Sequence, residues 1–277
     1  MQLEIKRASI SYSKSGAILQ DIDLSADQGE FIGIIGASGS GKTTLLETLS
    51  GFHKPDHGTV FFEDADIYHK NFDCQNFRRD LQIVFQFPEN QFFETDVYSE
   101  IAFGLKMLQL PAEETENRIH EALKTAGLDP DVCQKISPFA LSGGQKRRLA
   151  IACALAVQPK VLLLDEPFSG ADAEGRKLIM KALTAENQKG KTILMVSHDS
   201  ETLCELCSRI IVLSGGKIIH DGKPAEVYAY TEELQKEGIT PPDTKKLADL
   251  LGLASMDRLS YDYFMQRLVK SIAGGKE

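Results

Sequence analysis

Residues 31–44, FIGIIGASGSGKTT, restrict what this chain can fold into more than any other stretch. An apolar run from Phe31 to Ile35 breaks at Gly36, crosses a loop of small residues and ends in Lys42-Thr43. Gly36, Gly41, Lys42 and Thr43 satisfy the spacing G-x-x-x-x-G-K-[ST]. A phosphate chain needs several backbone N–H groups pointing at it, and side chains would block that approach. Ala37, Ser38, Gly39 and Ser40 are accordingly small. The helix expected from TLLETLS adds the positive end of its dipole. Lys42 is then placed to reach β- and γ-phosphates, and the Thr43 hydroxyl to ligate Mg²⁺, with Thr44 completing the candidate cradle. A glycine-rich turn can match this spacing by chance, but the strand before it and the helix former after it supply the context the motif requires. The stretch implies a nucleoside triphosphate site.

Two further strand ends carry chemistry. VLLLDE (161–166) is four apolar β-formers followed by two acids, the pattern of a strand buried on both faces. Carboxylates at a strand's C-terminal end lie where open α/β sheets place their ligands, so Asp165 is a candidate for Mg²⁺ and Glu166 for a general base. His198 closes the apolar run TILMVSH. Strand-end histidines are more often structural, yet a γ-phosphate at the same sheet edge gains from a hydrogen-bond donor. LSGGQ (141–145) reads as a helix start, with Ser142 as N-cap and Gly143 and Gly144 baring backbone N–H groups. It is either an ordinary helix start or a second phosphate-binding device. Lys146, Arg147 and Arg148 read by default as a solvated charged turn.

Composition bounds the rest. The 277 residues carry a net charge of −9, which argues against a general nucleic-acid binder. The N-terminus MQLEIKRASISY alternates like a strand rather than a signal peptide, and the apolar runs are too short to span a bilayer, so a membrane role would act through a partner. Five scattered cysteines fit a reducing compartment. Cys204 and Cys207 form C-x-x-C on one face of an expected helix and read as packing, since no second Cys or His pair lies nearby.

In chain order, residues 2–35 read as strands, TVFFEDADI as one further strand, and LQIVFQ as a strand ending at Gln86 after a polar stretch. From Pro88 to Pro159 the pattern is helical, and β signals return at VLLLDEP, TILMVSH and the hairpin-like RIIVLSGGKIIHDG. Strand–helix–strand alternation implies an α/β fold with a parallel sheet. Lys223 to Glu277 is a polar, weakly helical tail. Phe87, Phe92 and Phe93, rimmed by Glu89 and Glu94, form either an exposed docking patch for a basic amphipathic helix or packing for the helical region.

LSGGQ together with the glycine loop, Gln86, VLLLDEP and SHD resembles the ATP-binding-cassette (ABC) ATPases, in family order over about residues 1–225. The resemblance implies a P-loop NTPase of the ABC type: a RecA-like core with an N-terminal antiparallel β part, an inserted helical subdomain at about 87–157, and a C-terminal extension over 226–277. It implies ATP and Mg²⁺ as cofactors. Tyr12, by residue physics an ordinary strand tyrosine, would stack on adenine, and Gln86 would contact Mg²⁺ and the attacking water. Ser142, Gly143, Gly144 and Gln145 would bind the γ-phosphate held by a second, identical or similar ATPase subunit. His198 would be the switch histidine, and Ser169 to Asp172 the loop crossing the dimer interface. Ala171 there departs from the usual Leu.

IVFQFPENQFFETDVYSEIAFGLKML and LSGGQKRRLAIACALA resemble, more narrowly, the ATPase subunits of energy-coupling-factor transporters. These import vitamins and cobalt or nickel ions in bacteria and archaea. Leu105 stands where many members have Pro. This match implies an integral membrane coupling subunit that touches the segment after Gln86, a substrate-binding membrane subunit, no nucleic acid, and a peripheral position on the cytoplasmic face of the cell membrane. It also implies that the C-terminal extension assists dimerisation. An ABC ATPase of another importer or exporter, and a non-transport ABC protein, are the alternatives.

Overall fold

The computed structural model describes residues 1–11, 16–252 and 259–274. Tyr12 lies outside the described residues. FIGII, VLLLD and TILMV, the three apolar runs without alternation, are strands buried at every position.

The chain opens with antiparallel β1 (Leu3–Ser11) and β2 (Ala17–Ala26), followed by β3 (Phe31–Ile35) and helix α1 (Lys42–Leu49). β4 (His57–Phe62) returns along β1 and turns into β5 (Ala65–Asp66). The single strand expected over TVFFEDADI is therefore a hairpin: Glu63 and Asp64 take φ of 49° and 63°, the mirror-image turn that matches strand twist. The polar stretch before LQIVFQ contains helix α2 (Cys74–Asp80), N-capped by the Asp73 carboxylate, and β6 (Leu81–Val84) stops two residues short of Gln86. Then come α3 (Val97–Leu105), α4 (Ala112–Thr125), the short α5 (Pro130–Cys133) and α6 (Gly143–Ala156). β7 (Val161–Asp165), α7 (Ala173–Gln188), β8 (Thr192–Val196) and α8 (Ser200–Leu206) lead to the hairpin β9 (Arg209–Ser214) and β10 (Lys217–Gly222). The tail forms α9 (Pro224–Val227), α10 (Thr231–Lys236), α11 (Asp243–Leu250) and α12 (Tyr261–Gly274).

Among the described residues the strands make two sheets, an antiparallel one in the order β2-β1-β4-β5 and a larger one in the order β10-β9-β3-β8-β7-β6. In the larger sheet β9, β3, β8, β7 and β6 run parallel, and only β10 is antiparallel. Side-chain alternation divides its two faces. Ile32, Ile34, Leu163 and Val196 join the core shared with β1, β2, β4 and α1. Phe31, Ile35, Leu162 and Met195 join the core shared with α3, α4 and α6, which continues into the tail through Tyr228, Leu234 and Ile239. Cys204 and Cys207 are buried, with the Cys207 Sγ and a Leu203 methyl pressed against Gly33 of β3. The C-x-x-C is packing.

The topology fixes the site. Ile34 pairs with Val196, Asp165 with Val196, and Val84 with Leu164. The residues that follow β3, β8, β7 and β6 therefore emerge side by side at one carboxyl edge.

Candidate nucleotide site

Gly36 follows β3 where no side chain fits: a Cβ there would sit 2.1 Å from the Leu213 carbonyl oxygen and 2.7 Å from Ser40 Oγ. Gly41 has φ of 104°, and a Cβ on it would meet a Leu19 methyl at 2.7 Å. Sterics thus require both glycines of the motif. Between them Ala37, Ser38 and Gly39 face outward, while Ser40 Oγ is buried without a hydrogen-bond partner. An unsatisfied hydroxyl inside a loop of small residues suits an incoming phosphate oxygen. The Lys42 ammonium lies over the loop, donating to the Gly36 and Ala37 carbonyls at 2.8 Å each. Burial holds it below its ordinary pKa, opposed by the charges of Glu166 and Asp165. Thr44 is buried in the first turn of α1.

Thr43 Oγ1 donates to Asp165 Oδ2 at 2.7 Å, joining the end of β7 to the start of α1. Burial raises the Asp165 pKa, against the Thr43 hydrogen bond and the charges of Lys42 and Arg147. A hydroxyl beside a carboxylate is the hard-oxygen donor set that Mg²⁺ selects, so these residues fit that ion. Glu166, 9% exposed, has a left-handed φ of 50°. That conformation is costly for a non-glycine residue, and here the Glu166 N–H is fixed by donation to the Val196 carbonyl at 3.0 Å. It turns the Glu166 carboxylate to His198, whose Nδ1 lies 2.9 Å from Oε2. The imidazole itself is open to solvent. A carboxylate held beside an outward-facing imidazole can orient a water and meet a phosphate oxygen.

The other expected residues are arranged differently. Ser142 and Gln145 form a capping box: Ser142 Oγ accepts from the Gln145 N–H, and Gln145 Oε1 accepts from the Ser142 N–H. A Cβ on Gly143 or Gly144 would meet nothing within 4 Å. Within one chain, LSGGQ is an open helix start. Asp172 likewise caps α7, accepting from the Gly175 N–H at 2.7 Å, and Ala171 packs partly against the helical core.

One expectation needs correction, and one open alternative is divided. Lys146 to Arg148 do not form a solvated turn: Arg147 is 6% exposed and donates to the Gln86 carbonyl, and Arg148 donates to the Gly127 carbonyl. The following run LAIACALA leaves α6 without a polar face beyond its first turn, which is the sequence signal that the helix is enclosed from Arg147 onward. The phenylalanine cluster also divides. Phe92 belongs to the core, whereas Phe87 and Phe93 are exposed, and Phe93 meets exposed Phe103 edge-on at 4.7 Å. Lys106 lies over Phe103 and pairs with Glu94 at 3.8 Å. Arg176 carries no sequence signal of its role. It stacks on Phe168 and pairs with Asp199, binding the start of α7 to the residue after His198.

Residues 19–169 match the family model described as ABC transporter. The chain belongs to that family. Among curated ABC relatives, the energy-coupling factor transporter ATP-binding protein EcfA2 of Caldanaerobacter subterraneus subsp. tengcongensis is 40% identical over 253 residues, 90% of this chain and 88% of that protein. EcfA2 of Clostridium perfringens is 39% identical, covering 83% and 81% respectively. Among solved ABC proteins, cbiO1 of Clostridium perfringens, described as part of the ABC transporter complex cbiONQ, superposes with a TM-score of 0.75 at 34% identity over 89% of this chain and 98% of that one. The dimeric ATP-binding cassette MJ0796 bound to ADP and Pi gives 0.73 at 30% identity, over 80% and 99%. This chain is an ABC ATPase.

Proposed function

We propose that this chain is the ATP-hydrolysing subunit of an energy-coupling-factor importer of vitamins or of cobalt or nickel ions. One observation carries the reading: the three adjacent strand ends of β3, β8 and β7 bring the glycine loop, Asp165, Glu166 and His198 to one edge, with Glu166 already turned onto His198. The cassette spans residues 1–225 with the helical part at 87–157, and 226–277 is an extension that assists dimerisation. Tyr12 stacks on adenine.

The loop from Gly36 to Thr44 presents its N–H groups to the phosphates, and Lys42 leaves the Gly36 and Ala37 carbonyls for the β- and γ-phosphates. Thr43, Asp165 and Gln86 would hold Mg²⁺, which would supply charge neutralisation at the phosphates. Glu166 orients and deprotonates the attacking water, and His198 donates to the γ-phosphate. Hydrolysis is then mainly positioning and charge neutralisation. The open N–H groups of Gly143 and Gly144, with Ser142 and Gln145, bind the γ-phosphate held by the opposite subunit, in a homodimer or with a similar ATPase.

Among the described residues no helix is long and apolar enough to cross a membrane. The chain is membrane-associated through its partners, on the cytoplasmic face where ATP is available. Exposed Phe93 and Phe103, beside Glu94, offer an integral coupling subunit an aromatic surface with an acidic rim; a separate membrane subunit binds the solute.

A pull-down of the full chain from native membranes tests the assignment. Recovery of an integral coupling subunit with a small solute-binding membrane protein is expected. Recovery of exporter subunits, or retention on DNA at physiological salt, would overturn it.

A further inference from the structure

Arg147 has no part in the nucleotide chemistry above, yet α6 buries its guanidinium. Burying a cation is costly unless its donors are satisfied, so the partner it is given fixes where it sits. Here Nη1 donates to a backbone carbonyl, that of Gln86, 61 residues earlier in the chain. Gln86 has left β6, so its carbonyl is free of sheet pairing. Burial lowers the pKa of the guanidinium, and the charges of Glu89, Glu166 and Asp165 oppose that lowering. At the other end, the capping box locks Ser142 to Gln145, two residues before Arg147 on the same helix. LSGGQ and the guanidinium therefore move as one body.

We infer that Arg147 is a positioning residue that links each chain's LSGGQ to that chain's own Gln86. A nucleotide gripped by LSGGQ across the dimer then displaces the loop that holds Gln86 and leads to Phe93. The inference rests on the proposed roles of Gln86 and LSGGQ. Arg148 supplies an internal control, because it makes the same kind of bond from the same helix to Gly127, away from the nucleotide edge.

The test compares full-length wild type with Arg147→Gln, Arg147→Lys, Arg148→Gln and Gln86→Ala, measuring kcat, KM, ATP affinity and Tm. Arg147→Gln should lose about 10-fold or more in kcat with ATP affinity within about two-fold, and Arg147→Lys should recover part of the loss. Arg148→Gln should lower Tm and leave kcat. The chain has no tryptophan, so Phe87→Trp in a Glu166→Gln background reports on the loop directly. Its emission should respond to ATP with Arg147 present and not with Gln there. Wild-type kcat in Arg147→Gln, or equal kcat losses in the two arginine variants tracking their Tm, overturns the inference. If Arg147→Gln does not fold, Arg147→Lys against Arg148→Lys decides by the same criterion. Full turnover in Gln86→Ala removes the role of Gln86 and the link with it, whereas a slow Gln86→Ala beside a normal Arg147→Gln removes the link alone.

Discussion

The carboxyl edge of the parallel sheet and the open start of α6, the two phosphate-binding regions of the proposed mechanism, differ in completeness. At the sheet edge the charged groups already have partners within the chain, Thr43 on Asp165, Glu166 on His198 and Lys42 on the loop carbonyls, while the buried Ser40 Oγ is left unpaired. At LSGGQ the capping box satisfies the Ser142 and Gln145 backbone and leaves both glycines facing open space. In the proposed mechanism the first region is a preorganised site and the second is half of an interface, so that catalysis depends on bringing the second to the first.

The greatest loss of function is expected at the sheet edge. Glu166→Gln should slow turnover by about 10²–10⁴-fold, or ~3–5 kcal/mol, while ATP binding persists and an ATP-dependent dimer accumulates in sedimentation. Near-full activity would remove Glu166 as base. Mixing two inactive variants tests whether the halves belong to different chains. Lys42→Ala and Gly144→Asp should each be inactive alone. Mixed, they should restore on the order of a quarter of wild-type activity, because half the dimers are mixed and each has one intact site. No recovery on mixing would place LSGGQ and the glycine loop in the same active unit.

Glu94→Lys probes the surface offered to the membrane subunits, apart from both phosphate-binding regions. Replacing the Glu94–Lys106 pair by two cations should weaken co-purification with those subunits by about 10-fold. Stability should change by less than about 0.5 kcal/mol, since the pair is long at 3.8 Å and its lysine is exposed. Parallel loss of ATP affinity would contradict a docking role.

A smaller change is expected at the brace behind His198. Burial pushes the Asp199 carboxyl up, but hydrogen bonds from Arg176 and Thr202 and the charge of Arg176 outweigh it and hold the carboxyl below the usual range. A depressed carboxylate stabilises the fold above its unfolded pKa of about 4, and that contribution disappears as pH falls through the lower folded value. Asp199→Asn should therefore melt on the order of 2 °C below wild type at pH 7, with the gap closing toward about pH 3. A gap that persists in acid would assign the effect to packing.

Much of the fold and of the site is legible in the amino-acid sequence. The glycine loop, VLLLD, TILMV and the capping box at Ser142 are local patterns, in which the spacing of a few neighbouring residues already dictates a loop, a doubly buried strand or a helix start. Their order along the chain implies the α/β class, and the family resemblance names the site residues. Other features depend on residues far apart in sequence. Arg147 reads as solvated because its carbonyl partner lies 61 residues away. Phe92 and Phe93 are chemically identical neighbours, and only the packing of the helical region sends one to the core and leaves the other at the surface. TVFFEDADI has the composition of a strand, yet Glu63 and Asp64 turn it back on itself.

Which chemistry this protein can carry out follows from its sequence alone, because phosphate recognition is written in short runs of backbone and small side chains. Tertiary packing alone settles which of those groups share one edge, that Glu166 is turned onto His198, and that LSGGQ is left open. These outcomes depend on strand order and on which faces are buried, which no local pattern encodes.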